Sequence, residues 1–357
     1  MVRHVLGLRG VALAAVVVAL FGTACSSTGG GAANSIVYDS WGGLNQQQET
    51  QALITPYEKS TGVSVNIRAD ADNMYSRLQL QVRTGRGDVD VAHLDASWLP
   101  EGTQAHLYAP IDYSVVQRSD LLPGVAQPYG VRYLYWSWNI VYNPTVFGNQ
   151  PPSSWADVWA YAQAHPHRVA LWESQPDYVL EIALMASGVP ASQVYPWTPA
   201  KLDAAYQSLN KIKNDVQWFQ GGTDGDKLFS QGQVDVGMLY GGDTEVLRSQ
   251  GAKLGMSWDQ AVYTSDYLAV PANAPHKDLA MKFINAILQA KPQADMASLS
   301  GYGFVNKGSQ ALITNPGVLA GLPSYGPNVS RELAFDDSWW GTNESTQVTR
   351  WNAWLRG

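Results

Sequence analysis

Cysteine is almost absent from this chain: Cys25 is the single one in 357 residues. An intramolecular disulfide framework is therefore excluded, and without C-x-x-C there is neither a zinc knuckle nor a dithiol redox pair. Basic charge is scarce as well. The net charge is −7 with no basic stripe along the chain, which argues against nucleic acid as a partner. The six histidines are scattered, and "HPH" (His165, His167) has no third ligand at metal spacing. "DADN" and "TDGDK" lack the length and terminal Glu of a calcium loop, so their acids read as solvated caps. No G-x-S-x-G, Walker loop or G-x-G-x-x-G is present. The Asp336-Asp337 pair has the residues of a glycosidase but reads as two solvated acids on a surface loop. No catalytic residue, metal site or cofactor is expected, and the chain reads as a non-enzyme.

What the chain has instead is apolar and aromatic material. It is 45% hydrophobic and 15% charged, enough for a sizeable core and unlike a disordered protein. Its length fits about two domains. Trp and Tyr, at 14 and 18, far outnumber the 7 Phe. Both join an apolar face to a polar handle and suit pockets as well as cores.

The first 24 residues do not read as fold. Arg3, His4 and Arg9 precede the apolar run "VALAAVVVALF", and "GTA" follows, in the order of an export signal. A helix of that run would be about 16 Å long, short of the roughly 30 Å of a bilayer core. Thr23 and Ala24 before Cys25 resemble a lipobox, although Gly22 stands where an aliphatic residue is usual. Gly22 and Ala24 also suit ordinary signal cleavage, which would leave a free thiol. A lone cysteine followed by the polar tether "SSTGGGAAN" favours an acylated anchor. Residues 1–24 are thus expected to be a signal peptide and 25–34 a lipid-bearing tether. That would place the protein on the outer face of the cell membrane.

Beyond the tether, strand and helix patterns alternate. "SIVYDSW", "VSVNIR" and "DVDVAHLD" read as strands, with the helices "LNQQQETQALITPYEKSTG" and "DNMYSRLQLQVRTG" between them, the latter with Asp72 or Asn73 as cap. "RVALW", "VQWF" and "VDVGMLY" repeat the alternation further on, so the fold is α/β with mostly parallel sheets. "YLYWSWNIVYNP" and "AVYTSDYLAVP" are too long for ordinary strands and read as crossovers between two lobes. Two lobes with two crossings make a cleft that opens and closes by hinging, with strand ends facing it.

Several motifs suit ligand binding. "SWGG" sets Trp41 at the end of the first strand, before two glycines that permit close backbone approach; a tight turn explains them equally well. "LYGGDTE" repeats the design with Tyr240. "YTSDYLAVP" buries Asp266 in an aromatic strand, where it needs a cation from the protein or from a ligand. "GYGFVN" offers Tyr302, and "FDDSWW" offers Trp339 and Trp340. Aromatic rings around an acid suit an amine.

These runs, with "PYEKSTGVSV", "WNIVYNP", "SSWADVW" and "DYLAVPANAPHKDLAMKFINAIL", resemble the extracellular solute-binding proteins of ABC importers, in the spermidine/putrescine-binding branch. The resemblance covers the whole chain beyond the tether. It implies a two-lobed periplasmic-binding-protein fold, two mostly parallel sheets flanked by helices, with lobe 1 from 36–141 plus 267–305 and lobe 2 from 142–266 plus 306–357. It implies a monomeric receptor that delivers a small amine-bearing solute to a membrane permease. Polyamine binders hold ligand with residues matching Trp41, Tyr240, Asp266 and Tyr302, and Trp340 stands near the closing helix. Where they carry a polar and acidic pair after the first-strand Trp, this chain has Gly42-Gly43. Their second-lobe acids fall near "WESQPDYVLE", where Glu173 and Asp177 lie close but out of register. Opines and other amino compounds remain candidates beside polyamines, as do an anionic or metal-complexed solute on the same fold and a secreted hydrolase.

Overall fold

The computed structural model describes residues 34–69 and 73–357; Cys25, the export segment and the tether up to residue 33 lie outside them, as does Asp72. Nine strands follow in order: β1 (Ser35–Ser40), β2 (Ser64–Ala69), β3 (Val91–Leu94), β4 (Val131–Tyr142), β5 (Val169–Trp172), β6 (Val216–Phe219), β7 (Val236–Tyr240), β8 (Gly255–Ala269) and β9 (Leu333–Ala334). They hydrogen-bond along one path, β2-β1-β3-β8-β4-β7-β5-β6, with β9 on β8. The outer thirds, β2-β1-β3 and β7-β5-β6, are parallel. The pairs β3–β8, β8–β4 and β4–β7 are antiparallel. The α/β reading of the sequence holds, and the two parallel sheets are stitched into one by the expected crossovers, β4 and β8. Each is long because it serves both halves: β8 pairs with β3 at Tyr267–Ala269 and with β4 from Gly255 onward.

Local signals set the helices that cover these sheets. Ser154 and Asp157 form a capping box on helix Trp155–Ala164, and Thr198 caps helix Pro199–Asn210 with Pro199 at its first position. Gly62, Gly85 and Gly301 end helices in the left-handed region. Asn73 starts helix Met74–Thr84 without a side-chain cap bond. Beside β1 and β2, Ile36, Leu53, Tyr57, Phe283 and Ile284 build one core. A second core runs along β4 to β7 and takes in Trp138, Trp155, Leu180, Trp340 and Trp351. Ile313 and Leu322 pack on Ala294 and Ala297 of helix Ala290–Ser300, so the stretch after 306 stays with a helix that lies against β1's own helix before the chain returns at β9.

Arg132 and Asp337 tie the crossovers together. Arg132 donates to Ser265 Oγ at 2.7 Å and to Asp337 at 2.6 Å, while the Thr264 and Tyr267 hydroxyls also donate to Asp337. Asp336 accepts from Trp339 N as cap of the final helix, Asp337–Arg356. The acid pair expected to be solvated is thus a helix start, with Asp337 only 6% exposed.

Candidate functional site

Topology locates the site before any side chain is considered. From β1 the chain steps to β2 on one side and β3 on the other, and β5 is flanked by β6 and β7 in the same way. Crevices open beyond the C-terminal ends of strands at such switch points. Those ends carry Trp41 after β1, Asp95 after β3, Glu173 after β5 and Tyr240 at the end of β7, while the crossovers add Trp136 and Asp266. The turn after Trp41 needs its glycines, since Gly42 and Gly43 have φ of 81° and 62°.

Asp266 sits in a buried chain of polar contacts. Trp136 Nε1 donates to its Oδ1 at 2.7 Å, and its Oδ2 lies 2.8 Å from His93 Nε2. The other ring nitrogen of His93 lies 3.1 Å from both the Tyr38 hydroxyl and Glu49. Glu49 also accepts from Tyr38 and from Ser40 Oγ. Burial by itself would lower the pKa of His93, but Glu49 and Asp266 on either side override it and push it up to about 9. At neutral pH His93 is therefore an imidazolium that gives one N–H to each carboxylate. Trp41 and Tyr133 meet the ring edge-on, with centroids at 6.0 Å and 5.2 Å.

The acids next to this chain have no such cation. β3 and β8 pair with Leu94 opposite Tyr267, so one further step sets Asp95 across from Asp266. Asp95 accepts from Ser97 N and Oγ at 3.0 Å; burial, then the Asp266 charge, push its carboxyl up to about 7. Asp177 is 6% exposed with Oδ1 unpartnered. Burial raises it well above the carboxylate range, and the charges of Glu344, Asp95 and Glu181 add to this. Glu344 is raised by burial, eased by the Ser97 side chain, and leaves Oε2 buried without a partner. A second acidic group lies at the head of helix Gly241–Ser249. There, burial and the neighbouring Asp226 push Asp243 to about 7, and burial pushes Asp226 itself to about 6. The acids of "TDGDK" are accordingly not all solvated, because Asp226 Oδ1 is buried.

Tyr240 and Tyr302 are largely buried beside acids of the site. Beyond the effect of burial, Tyr302 responds to the charges of Asp243 and Asp266, and Tyr240 to Tyr302, Asp243, Asp177 and Asp95. Tyr240 stacks on Trp138 at 3.7 Å and meets Trp136 at 5.5 Å, and Trp41 packs on Trp98 at 5.2 Å. Among the described residues, no arginine or lysine is paired with Asp95, Asp177, Asp226, Asp243 or Glu344.

Of the residues singled out in the sequence, Trp41, Asp177, Tyr240, Asp266 and Tyr302 come together here. Trp340 and Glu173 do not. Trp340 is fully buried, donates Nε1 to Glu181 at 2.7 Å and stacks on Phe335. Glu173 lines a depression of about 440 Å³ with Trp218, Asp224 and Lys227 and lies 3.5 Å from the Gln220 amide. His93, Asp95, Trp136 and Glu344 are the residues that sequence reasoning missed. For Asp95 a signal existed, an acid closing the strand pattern "DVDVAHLD". For Glu344 none did, since nothing local says which lobe its helix crosses.

With this geometry in hand, comparison with known proteins is informative. Residues 52–319 match the family model described as bacterial extracellular solute-binding protein. The chain is 28% identical to the gamma-aminobutyric acid-binding protein of Pseudomonas aeruginosa, over 94% of this chain and 95% of that one. It is 24% identical to the spermidine/putrescine-binding periplasmic protein of Escherichia coli, over 73% of this chain and 76% of that one. Among solved structures, the Atu4243 GABA receptor superposes with a TM-score of 0.82 at 30% identity, covering 90% of this chain and 97% of its own. AgtB of A. tumefaciens R10, in complex with agropinic acid, superposes with a TM-score of 0.78 at 29% identity, covering 90% of this chain and 99% of its own.

Proposed function

The chain belongs to the bacterial extracellular solute-binding proteins, and we propose that it captures a small solute bearing ammonium groups between its lobes and delivers it to the permease of an ABC importer. One observation carries this reading: five carboxylates gather around the aromatic walls without an arginine or lysine partner among the described residues. Buried carboxylates without counter-ions are unfavourable. An ammonium would satisfy them, and the faces of Trp and Tyr attract the same charge. In this reading Trp41, Tyr240 and Tyr302 are walls, Asp177 is an acceptor, and Asp266, matched by His93 and Trp136, supports the floor. Several unmatched acids near Tyr240 suit a solute with more than one amine. A zwitterion such as GABA would bring a carboxylate, and the His93 imidazolium is already shared between Glu49 and Asp266, so a polyamine is the favoured class.

Calorimetry on ligand-free protein tests this, with putrescine, spermidine and GABA as titrants. The polyamines should bind more tightly than GABA, and small-angle scattering should show the molecule contracting as they saturate it. Tight binding of a solute without an amine, with no heat from any amine, would sink the reading. The anchor is a separate part of the proposal. If Cys25 is acylated, the protein partitions into detergent and Cys25→Ser releases it; a native protein that stays in the aqueous phase with a free thiol would refute the anchor.

A further inference from the structure

We infer that Gly341 sets how far the two halves of the molecule close on a solute. It is the point where the final helix lands on Ser97 and Pro100, and only a residue without a side chain lets it land. This rests on capture of a solute between the lobes, as proposed above, and not on which solute that is. Helix Asp337–Arg356 is fastened to the half built on β5 to β7. Trp340 Nε1 donates to Glu181 at 2.7 Å and Trp351 Nε1 to the Glu173 carbonyl at 2.6 Å, while Arg350 and Trp354 reach Asp203 and Asn210. Ser97 and Pro100 come just after β3 and are fastened to the other half. Ser97 N–H donates to Asp95, Trp98 packs on Trp41 and Tyr75, and the Tyr108 hydroxyl donates to the Trp98 carbonyl. Trp41 is a wall of the cleft, so the seat adjoins the cleft directly.

At this seat the final helix meets the chain after β3 with no room for a side chain between them. An added Cβ on Gly341 would lie 2.7 Å from the Ser97 carbonyl oxygen and 2.8 Å from Pro100 Cγ, closer than real Cβ atoms approach. Nothing else in the helix asks for glycine there. Its φ is not in the left-handed region, and inside a helix glycine is less favourable than alanine. The close contact is what explains it. The same arrangement recurs at Gly242, where a Cβ would lie 3.0 Å from the Ser300 carbonyl oxygen. Gly341 is also placed to sense closure, since only about 6 Å of helix separate it from Asp337, whose bond to Arg132 ties the helix to the crossovers. A swing of about 20° about that tie would move Gly341 by about 2 Å, enough to admit a methyl group. Alanine is therefore opposed in the closed arrangement and accepted in the open one.

The test compares wild type with Gly341→Ala and with a control, Ser345→Ala, which brings alanine to an exposed position one turn further along the same helix. Without ligand, Gly341→Ala should melt at or above wild type, as the control does, because the open protein gives the methyl group room. The titrant is putrescine, or GABA if putrescine does not bind. Gly341→Ala should lose about fivefold or more in affinity, mainly through faster release. Small-angle scattering at saturation should show it contracting less than wild type, and the control should match wild type in both measurements. Affinity within about twofold of wild type, with full contraction, would overturn the inference. So would a ligand-free Gly341→Ala that melts several degrees below wild type, by showing that the contact is permanent packing rather than one made on closing. If wild type binds neither amine, the amine reading falls, and the ligand-free melting comparison still decides the seat in either direction.

Discussion

Two groups of carboxylates lie a few residues apart in this cleft and are treated in opposite ways. Asp266 and Glu49 share a buried histidine, and tyrosine, serine and tryptophan donors fill their remaining acceptors. Asp95 accepts from Ser97, while Asp177 and Glu344 each leave one buried oxygen unmet. The first group is a finished structural device and the second is an unfinished one. Burial therefore does not by itself mark a ligand-binding acid. An acid already matched inside the protein supports the floor of the site, and an acid left unmatched is where a ligand's charge belongs.

The most severe way to break the contrast is to remove the shared cation. His93→Leu leaves Glu49 and Asp266 buried without it, and breaking a buried pair this way typically costs about 3–5 kcal/mol. Denaturant unfolding of the ligand-free protein should show that loss. Asp177→Asn should show none, because burial already disfavours the charge of this carboxyl and no donor meets its Oδ1. If the two variants were equally stable, the distinction between finished and unfinished groups would be wrong. A smaller loss is expected from Arg132→Met, at about 3 kcal/mol, the low end of that range, because Asp337 keeps the Thr264 and Tyr267 hydroxyls. Scattering on that variant should also show a wider spread of lobe arrangements, since Arg132 joins β4, β8 and the final helix.

Acidity separates the groups by pH window, with the same sign in each. Asp95 and Asp243 are raised to about 7, from near 4 when unfolded. Each favours the folded state at low pH, and that advantage is lost as pH rises through about 7. His93 is raised to about 9, so its contribution is complete below about 6.5 and is lost only as pH rises through about 9. The ligand-free protein should therefore lose stability over two windows as pH rises, one from about 4 to 7 and one from about 6.5 to 9. Melting curves of Asp95→Asn should show a smaller first loss, the share of Asp243, and keep the second. A second loss that survives in His93→Gln would show that another group titrates there.

Much of this architecture could be read from residue order alone, because period-2 strands and capped helices alternate and the two crossovers betray themselves by length. The closing acids were harder. Asp266 announced itself as a charge inside an apolar strand, yet the residue that neutralises it, His93, is far away in sequence and comes near only because β3 pairs with β8. Glu344 and Asp177 reach the site only through tertiary folding, so neither can be paired with a partner from spacing. Trp340 illustrates the reverse error. An aromatic beside acids looked like a cleft wall, but the long helix after Asp337 turns it inward, where it caps Glu181 with its indole N–H.

The mildest change tests how closely the lobes meet rather than what lies between them. Helix Gly241–Ser249 starts directly after Tyr240, and at Gly242 an added Cβ would lie 3.0 Å from the Ser300 carbonyl oxygen. The φ of Gly242 is not in the left-handed region, so the open molecule should accept alanine there without backbone strain. Only the arrangement that brings helix Ala290–Ser300 against it has to give by a few tenths of an ångström. Gly242→Ala should therefore leave the melting temperature of the ligand-free protein close to wild type and weaken a saturating amine several-fold, chiefly by faster release, because the closed arrangement is the one it opposes. Gly43→Ala makes the matching control: its φ of 62° strains any side chain, while the space around it is empty. It should lower stability modestly without changing how far the lobes close. If scattering with putrescine showed Gly242→Ala contracting as fully as wild type with an unchanged release rate, the 241–249 helix would not be part of the closing surface.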